Sequence, residues 1–80
     1  QKQMHGRIAD ALIFLMDEIY GRNPFMLTLS RQDIADLTAM SKENVIRVLK
    51  VFKDQNIIAV KNNLVEVLDK KELIRIGATG

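Results

Sequence analysis

"SKENVIRVLKVF", residues 41–52, sorts its side chains onto two sides of one helix. Val45, Val48, Leu49 and Phe52 fall together at i, i+3, i+4 and i+7, while Glu43, Ile46, Arg47 and Lys50 fall together on the opposite side. The first set predicts a core-facing stripe, and the second set carries too much charge to be core. From Lys42 to Lys53 there are four cations (Lys42, Arg47, Lys50, Lys53) and one acid (Glu43), a local surplus of three in a chain whose net charge is only +2. The basic charge of this protein is therefore concentrated on a helix spanning 41–53.

The residues just upstream say how that helix is held. Ser30 with Asp33 makes an N-cap pattern, because the serine oxygen can accept from the amide three residues on and an acid suits the positive end of a helix. A helix of about two turns follows, expected to bury Ile34 and Leu37 together with Ala35 and Thr38. It meets "TAMS", where Ser41 can cap the quoted helix. Two helices joined so tightly must cross steeply, which is the arrangement of a helix-turn-helix. Ala39 stands where glycine would ease a left-handed turn, so an adjusted turn is expected there.

Downstream, Asn56 can take a left-handed C-cap, and "IIAVKNNLVEVL" sets two β-rich runs around Lys61, Asn62 and Asn63. A hairpin directly after a helix-turn-helix is a wing. The fold class expected is α+β, mainly α: a winged helix-turn-helix with a small β-hairpin wing, as a single domain over 1–80. In "RIADALIFLMDEIYG", Ile8, Leu12, Leu15, Met16 and Ile19 predict an inward stripe on a helix from Arg7 to Tyr20, closed by Gly21, with Pro24 opposing continuation. "FMLTLS" reads as a short strand whose pairing partner the sequence does not identify. A last helix is expected from Asp69, capped with Glu72 and turning Leu73 and Ile76 inward, while "GATG" is expected to fray.

Composition bounds the chemistry. Eighty residues form one small domain with little room for a deep pocket. With no cysteine and one histidine, thiolate metal sites are excluded and a histidine-based site is disfavoured. The longest apolar run, "ALIFLM" at 11–16, falls far short of the ~20 residues that span a bilayer, so a cytoplasmic protein without membrane contact is expected. The sequence shows no nucleophile–base pair and no glycine-rich phosphate loop, and the expectation is that the chain is not an enzyme. His5 reads as solvated, Met4, Met16, Met26 and Met40 as core filler, and Lys70, Lys71 and Arg75 as solvation of the last helix.

"LSRQDIADLTAMSKENVIRVLKVFKDQNIIAVKNNLVEVLD", residues 29–69, resembles the DNA-binding domain of the Crp/Fnr family of bacterial transcription regulators, and "GRIADALIFL" resembles the helix that precedes it. The most specific parts are "SRQDIA", "SKENVIRVLK" and "DQNII". The resemblance implies sequence-specific binding of double-stranded DNA by the output domain of a longer regulator. It also implies a homodimeric parent, whose sensory domain and dimer helix lie before this segment, and a segment that is mainly monomeric by itself. No cofactor is expected here; a cyclic nucleotide or other effector would belong to the preceding domain. The resemblance leaves room for RNA polymerase as a protein partner.

Carried over position by position, the resemblance assigns base reading to Lys42, Glu43, Ile46 and Arg47. Arg47 can bond O6 and N7 of a guanine with its forked donors, and Glu43 can accept from cytosine N4. Lys42 stands where the family often has arginine and lacks the planar fork, and Ile46 offers an apolar contact for a thymine methyl. Backbone contacts are assigned to Ser30, Arg31, Gln32, Ser41, Asn44 and, in the wing, Lys61; Lys50, on the same side of the helix, is a further backbone candidate that also fits a solvated lysine face. Two plainer readings stay open. Glu43 and Arg47, four apart, also fit a surface ion pair worth ~0.3–0.5 kcal/mol, and the same basic face suits a winged-helix module that docks an acidic protein.

Overall fold

Capping residues divide this chain: Ser30, Ser41 and Asp69 each start a helix, while the first helix begins at Met4, ahead of the expected Arg7, without a side-chain cap. The computed structural model describes residues 3–80; the first two residues of the expected 1–80 domain lie outside them. Helix α1 is α-helical over Met4–Phe14 and widens into a π-helix over Leu15–Tyr20. Gly21 ends it at φ 64° and ψ 30°, the left-handed conformation that lacks a Cβ penalty in glycine. Strand β1 is Phe25–Met26, α2 is Arg31–Thr38, α3 is Lys42–Asp54, β2 is Ile58–Lys61, β3 is Leu64–Val67 and α4 is Lys70–Thr79. This is the winged helix expected.

At α2 the Ser30 hydroxyl accepts from the Asp33 amide at 3.0 Å while the Asp33 carboxylate accepts from the Ser30 amide at 3.0 Å, a complete capping box. Ser41 Oγ caps α3 by accepting from the Asn44 amide at 3.1 Å, and Asp69 caps α4 by accepting from the Glu72 amide at 3.1 Å. Between α2 and α3, Ala39 enters the left-handed region at φ 56° and ψ 44°. The expected adjusted turn is therefore corrected. Ala39 takes the glycine-like conformation itself, because the Met40 amide must turn back to the Ala35 carbonyl at 2.9 Å to close α2.

The wing has a third strand. β2 and β3 pair antiparallel across a turn in which Asn62 sits at φ 56°, and β3 also pairs antiparallel with β1, through Phe25 with Val65 and Met26 with Leu64. That is the partner of "FMLTLS" that the sequence left unidentified. Asn23 lengthens this edge, since its side chain donates to the Val67 carbonyl and accepts from the Val67 amide, both at 2.9 Å. A side-chain amide here reproduces a backbone pair.

The core lies where α1, α2, α3 and the sheet meet. Ile8, Leu12, Leu15 and Met16 pack with Ile34, Ala35, Val45, Val48, Leu49, Phe52, Ile58, Val65 and Leu73, all buried. Burying these apolar side chains is the main driving force available to a chain this short. Several inward expectations are corrected. Ile19 is 55% exposed, because the π-helical turn takes more residues than the 3.6 of an α-helix and carries position 19 off the Leu12 stripe. Leu37 is 55% exposed, since α2 meets the core only through Ile34 and Ala35 and turns Leu37 outward beside Phe14. Met26 is exposed on the outer side of β1, whereas Met16 is core and Met4 and Met40 pack at its edge.

The ends of the chain also depart from expectation. "GATG" continues α4 and packs against α1, so it is not frayed: a Cβ on Gly6 would collide with Gly80, and one on Gly77 would collide with the Asp10 side chain. His5 is half-buried, edge-on to Phe52 with ring centroids 6.0 Å apart, rather than solvated. Lys70 reaches Asp17 of α1 at 3.5 Å, and Arg75 pairs with Glu72 at 2.6 and 2.8 Å within α4.

Candidate nucleic-acid interface

With Val45, Val48, Leu49 and Phe52 buried, α3 must turn its other side to solvent. Lys42, Glu43, Arg47 and Lys50 are exposed there, and Ile46 is 47% exposed among them. No described residue pairs with Lys42 or Glu43. The strip thus presents a point donor, a carboxylate acceptor, an apolar branch and a guanidinium fork over about two turns of a cylinder ~10–12 Å wide, the size a major groove admits. Such a set can recognise a pattern of donors, acceptors and methyl groups.

The ion pair that spacing allowed between Glu43 and Arg47 does not form. Arg47 Nη2 instead donates to Asn44 Oδ1 at 2.7 Å and lies 4.0 Å from Met4 Sδ. Glu43 sits in the first turn of α3, where the partial positive charge of the free amides favours a carboxylate without a cationic partner. Lys50 is the cation that is paired, with Asp54 at 2.9 Å, although both side chains are more than three-fifths exposed.

The backbone-contact candidates lie at two helix N-termini and on the wing. Ser30 and Ser41 are N-caps whose hydroxyls already accept amides. Arg31 is half-buried in the first turn of α2, and Gln32 donates to Asp36 at 2.9 Å. Lys61 ends β2 opposite Leu64, exposed at the wing turn. The Leu27 amide donates to the Asn63 carbonyl at 2.7 Å, which ties that turn to the segment entering α2. Ser30 follows three residues later, so it lies within roughly 15 Å of the wing turn by chain reach alone. The chain thus tethers the α2 N-terminus to the wing turn that carries Lys61.

Sequence reasoning missed the Asn44–Arg47 bond, although the signal was present: positions three apart on a helix are neighbours. It missed Met4 beside Arg47 because no local pattern places the first turn of α1 against α3. Elsewhere, the Arg75 guanidinium holds the Glu72 carboxyl below its usual range, and Glu72 in turn raises Arg75, both on α4 and outside this strip. Among the described residues there is no cluster of three or more metal-ligating side chains, and no helix is long and apolar enough to cross a membrane.

Comparison with known proteins identifies the family and the fold. Residues 6–76 match the model of the Crp-like helix-turn-helix domain. The nitrogen fixation regulation protein FixK of Rhizobium meliloti (strain 1021) is 35% identical over 69 residues, covering 86% of this chain and 33% of its own length. A CRP-family transcriptional regulator of Thermus thermophilus superposes with a TM-score of 0.85 at 30% identity, over 100% of this chain and 43% of its own. FixK2 of Bradyrhizobium japonicum superposes with a TM-score of 0.91 at 22% identity over 41% of its length, a likeness of fold. The chain therefore spans between a third and 43% of the length of these relatives.

Proposed function

This chain belongs to the family of Crp-like helix-turn-helix domains, and from that premise we propose that it binds double-stranded DNA sequence-specifically, laying α3 in the major groove as the output of a transcription regulator. The observation that carries the proposal is the strip on α3. Its exposed side chains are of four different hydrogen-bonding or apolar characters, and the two with the most directional chemistry, Glu43 and Arg47, are not joined to each other. A module that only attracted anions would gain from removing Glu43.

In this reading Arg47 bonds a guanine through its fork, Glu43 accepts from cytosine N4, Ile46 meets a thymine methyl and Lys42 donates to a base edge. Phosphates are held by Arg31, Lys50 and Lys61 and by polar groups at the helix ends, namely Ser30, Gln32, Ser41 and Asn44. The Lys50–Asp54 pair does not oppose this, because an exposed pair is worth ~1 kcal/mol or less and a phosphate can displace it. The parent protein is proposed to be a cytoplasmic bacterial homodimer that senses its effector through a preceding domain and can meet RNA polymerase at the promoter.

Selection of duplexes from a random pool by a dimerised form of the chain tests the proposal. An inverted repeat with half-site centres about 34–36 Å apart is expected. Recovery of duplexes with no common sequence, with an acidic polypeptide bound more tightly than any of them, would instead identify a protein-docking module.

A further inference from the structure

A hydrogen-bonded chain climbs the exposed side of α3 from its cap to the guanidinium. Ser41 Oγ accepts from the Asn44 amide at 3.1 Å, which fixes the start of the helix, and one side chain further on Asn44 Oδ1 accepts from Arg47 Nη2 at 2.7 Å. Met4 Sδ stands 4.0 Å from the same nitrogen. Arg47 is otherwise exposed, and a long exposed side chain has several rotamers to choose among. We propose that Asn44 is a specificity-determining positioning residue, which holds the Arg47 guanidinium in a base-reading geometry before DNA arrives. The proposal rests on the base-reading role given to Arg47 above.

The chemistry permits this without blocking the base. Arginine has five N–H donors, and the bond to Asn44 uses one of the two on Nη2. The second hydrogen on Nη2 meets the weak sulfur acceptor of Met4 at 4.0 Å, which a base oxygen can displace, so that hydrogen and those on Nη1 can serve O6 and N7 of a guanine while the Asn44 bond is kept. The oxygen of Asn44 is the atom engaged, which leaves its NH2 group to donate to a phosphate. One residue thereby joins a backbone contact to a base contact. Only an acceptor can fill this role toward arginine, so Glu43 would be the other choice on the same side; the structure leaves it unpaired and available for cytosine.

The experiment uses the 80-residue chain and duplexes it recovers from a random pool. The guanine to follow is the one whose replacement weakens the wild type but not Arg47→Ala. Selectivity is the ratio of affinity for the recovered duplex to affinity for the same duplex with that guanine replaced. Asn44→Ala is expected to lower it about 3- to 10-fold, as the ordering of one long side chain moves into the binding step. It should add little in an Arg47→Ala background. Asn44→Asp keeps an acceptor and should preserve selectivity while lowering affinity for all duplexes, because it adds a negative charge. Without DNA, NMR of the Arg47 guanidinium should show faster rotation in Asn44→Ala and slow rotation in Asn44→Asp, with the unfolding midpoint changed little in either.

Equal loss of selectivity from Asn44→Ala in the wild-type and Arg47→Ala backgrounds would overturn the proposal, because the two side chains would then act separately. A gain in selectivity would also overturn it, showing that Asn44 restrains Arg47 from the base. If no guanine can be found whose recognition depends on Arg47, the base-reading role falls and the proposal falls with it, a result distinct from loss in Arg47→Ala with none in Asn44→Ala.

Discussion

Arg47 and Glu43 lie one turn apart on α3 without touching, and this gives their substitutions opposite signatures. Arg47→Ala should lose ~1–3 kcal/mol on the preferred duplex and much less on random duplex, and Arg47→Lys should recover little because the fork is lost while the charge survives. Glu43→Ala removes a negative charge from a surface proposed to meet DNA, so non-specific binding should tighten while discrimination at one base pair relaxes. Titration of both variants against the preferred duplex, single-base changes and random duplex reads the difference. Uniform tightening by Glu43→Ala would leave the carboxylate without a base. Ala39 offers a residue-scale test of stability. At φ 56° its Cβ is held in a conformation that costs ~1–2 kcal/mol, and glycine removes that cost while gaining ~0.4–1 kcal/mol of unfolded-state entropy. Ala39→Gly should therefore stabilise by ~0.5–1 kcal/mol, or ~2–8 °C in Tm. A fall in Tm would show that the turn carries no such strain.

At the scale of elements, the Leu27–Asn63 hydrogen bond ties the wing turn to the segment that enters α2. Both are proposed to touch phosphate, and phosphate contacts make affinity fall with salt by ~0.9 in the logarithm for each charge neutralised. Arg31→Ala and Lys61→Ala should each flatten that slope by about one unit and weaken all duplexes alike, leaving selectivity unchanged. An unchanged slope would remove the residue from the contact. Ser30→Ala behaves differently, since its hydroxyl closes the capping box of α2. It should lower stability by ~1 kcal/mol in chemical denaturation, while the salt slope changes by less than for either cation.

For the whole molecule, the first and last helices close against each other through small residues. A Cβ on Gly6 would meet the Gly80 backbone and come within 3.2 Å of the Ile76 carbonyl. Helix propensity favours Gly6→Ala by ~1 kcal/mol, and overpacking opposes it by ~1–3 kcal/mol. A net loss of up to ~2 kcal/mol is expected in thermal or urea unfolding. A gain would mean that α4 yields easily and that the closure adds little. On another side, Met4 and His5 at the start of α1 meet Arg47 and Phe52 of α3, so this helix also borders the helix proposed to read DNA.

The sequence by itself determined the elements and their order, because caps and periodicities are local. Ser30 with Asp33, Ser41 and Asp69 start three helices, Gly21 and Asn56 stop two, and the Val45–Phe52 stripe assigns α3 its buried and exposed sides whatever packs against it. The polar strip was legible for the same reason. Tertiary structure decided what depends on partners distant in the chain: the pairing of β1 with β3, the burial of "GATG" against α1, and the exposure of Leu37. Helical spacing says which residues share a face but not how wide a stripe the neighbours will cover, and a stripe narrower than the pattern left Leu37 outside. Ile19 escaped because a π-turn changes the period on which its inward placement relied. Arg47's partner was settled by geometry of the same kind: spacing offered both Glu43 and Asn44, and the folded helix, with Met4 beside it, took the amide oxygen and left the carboxylate exposed.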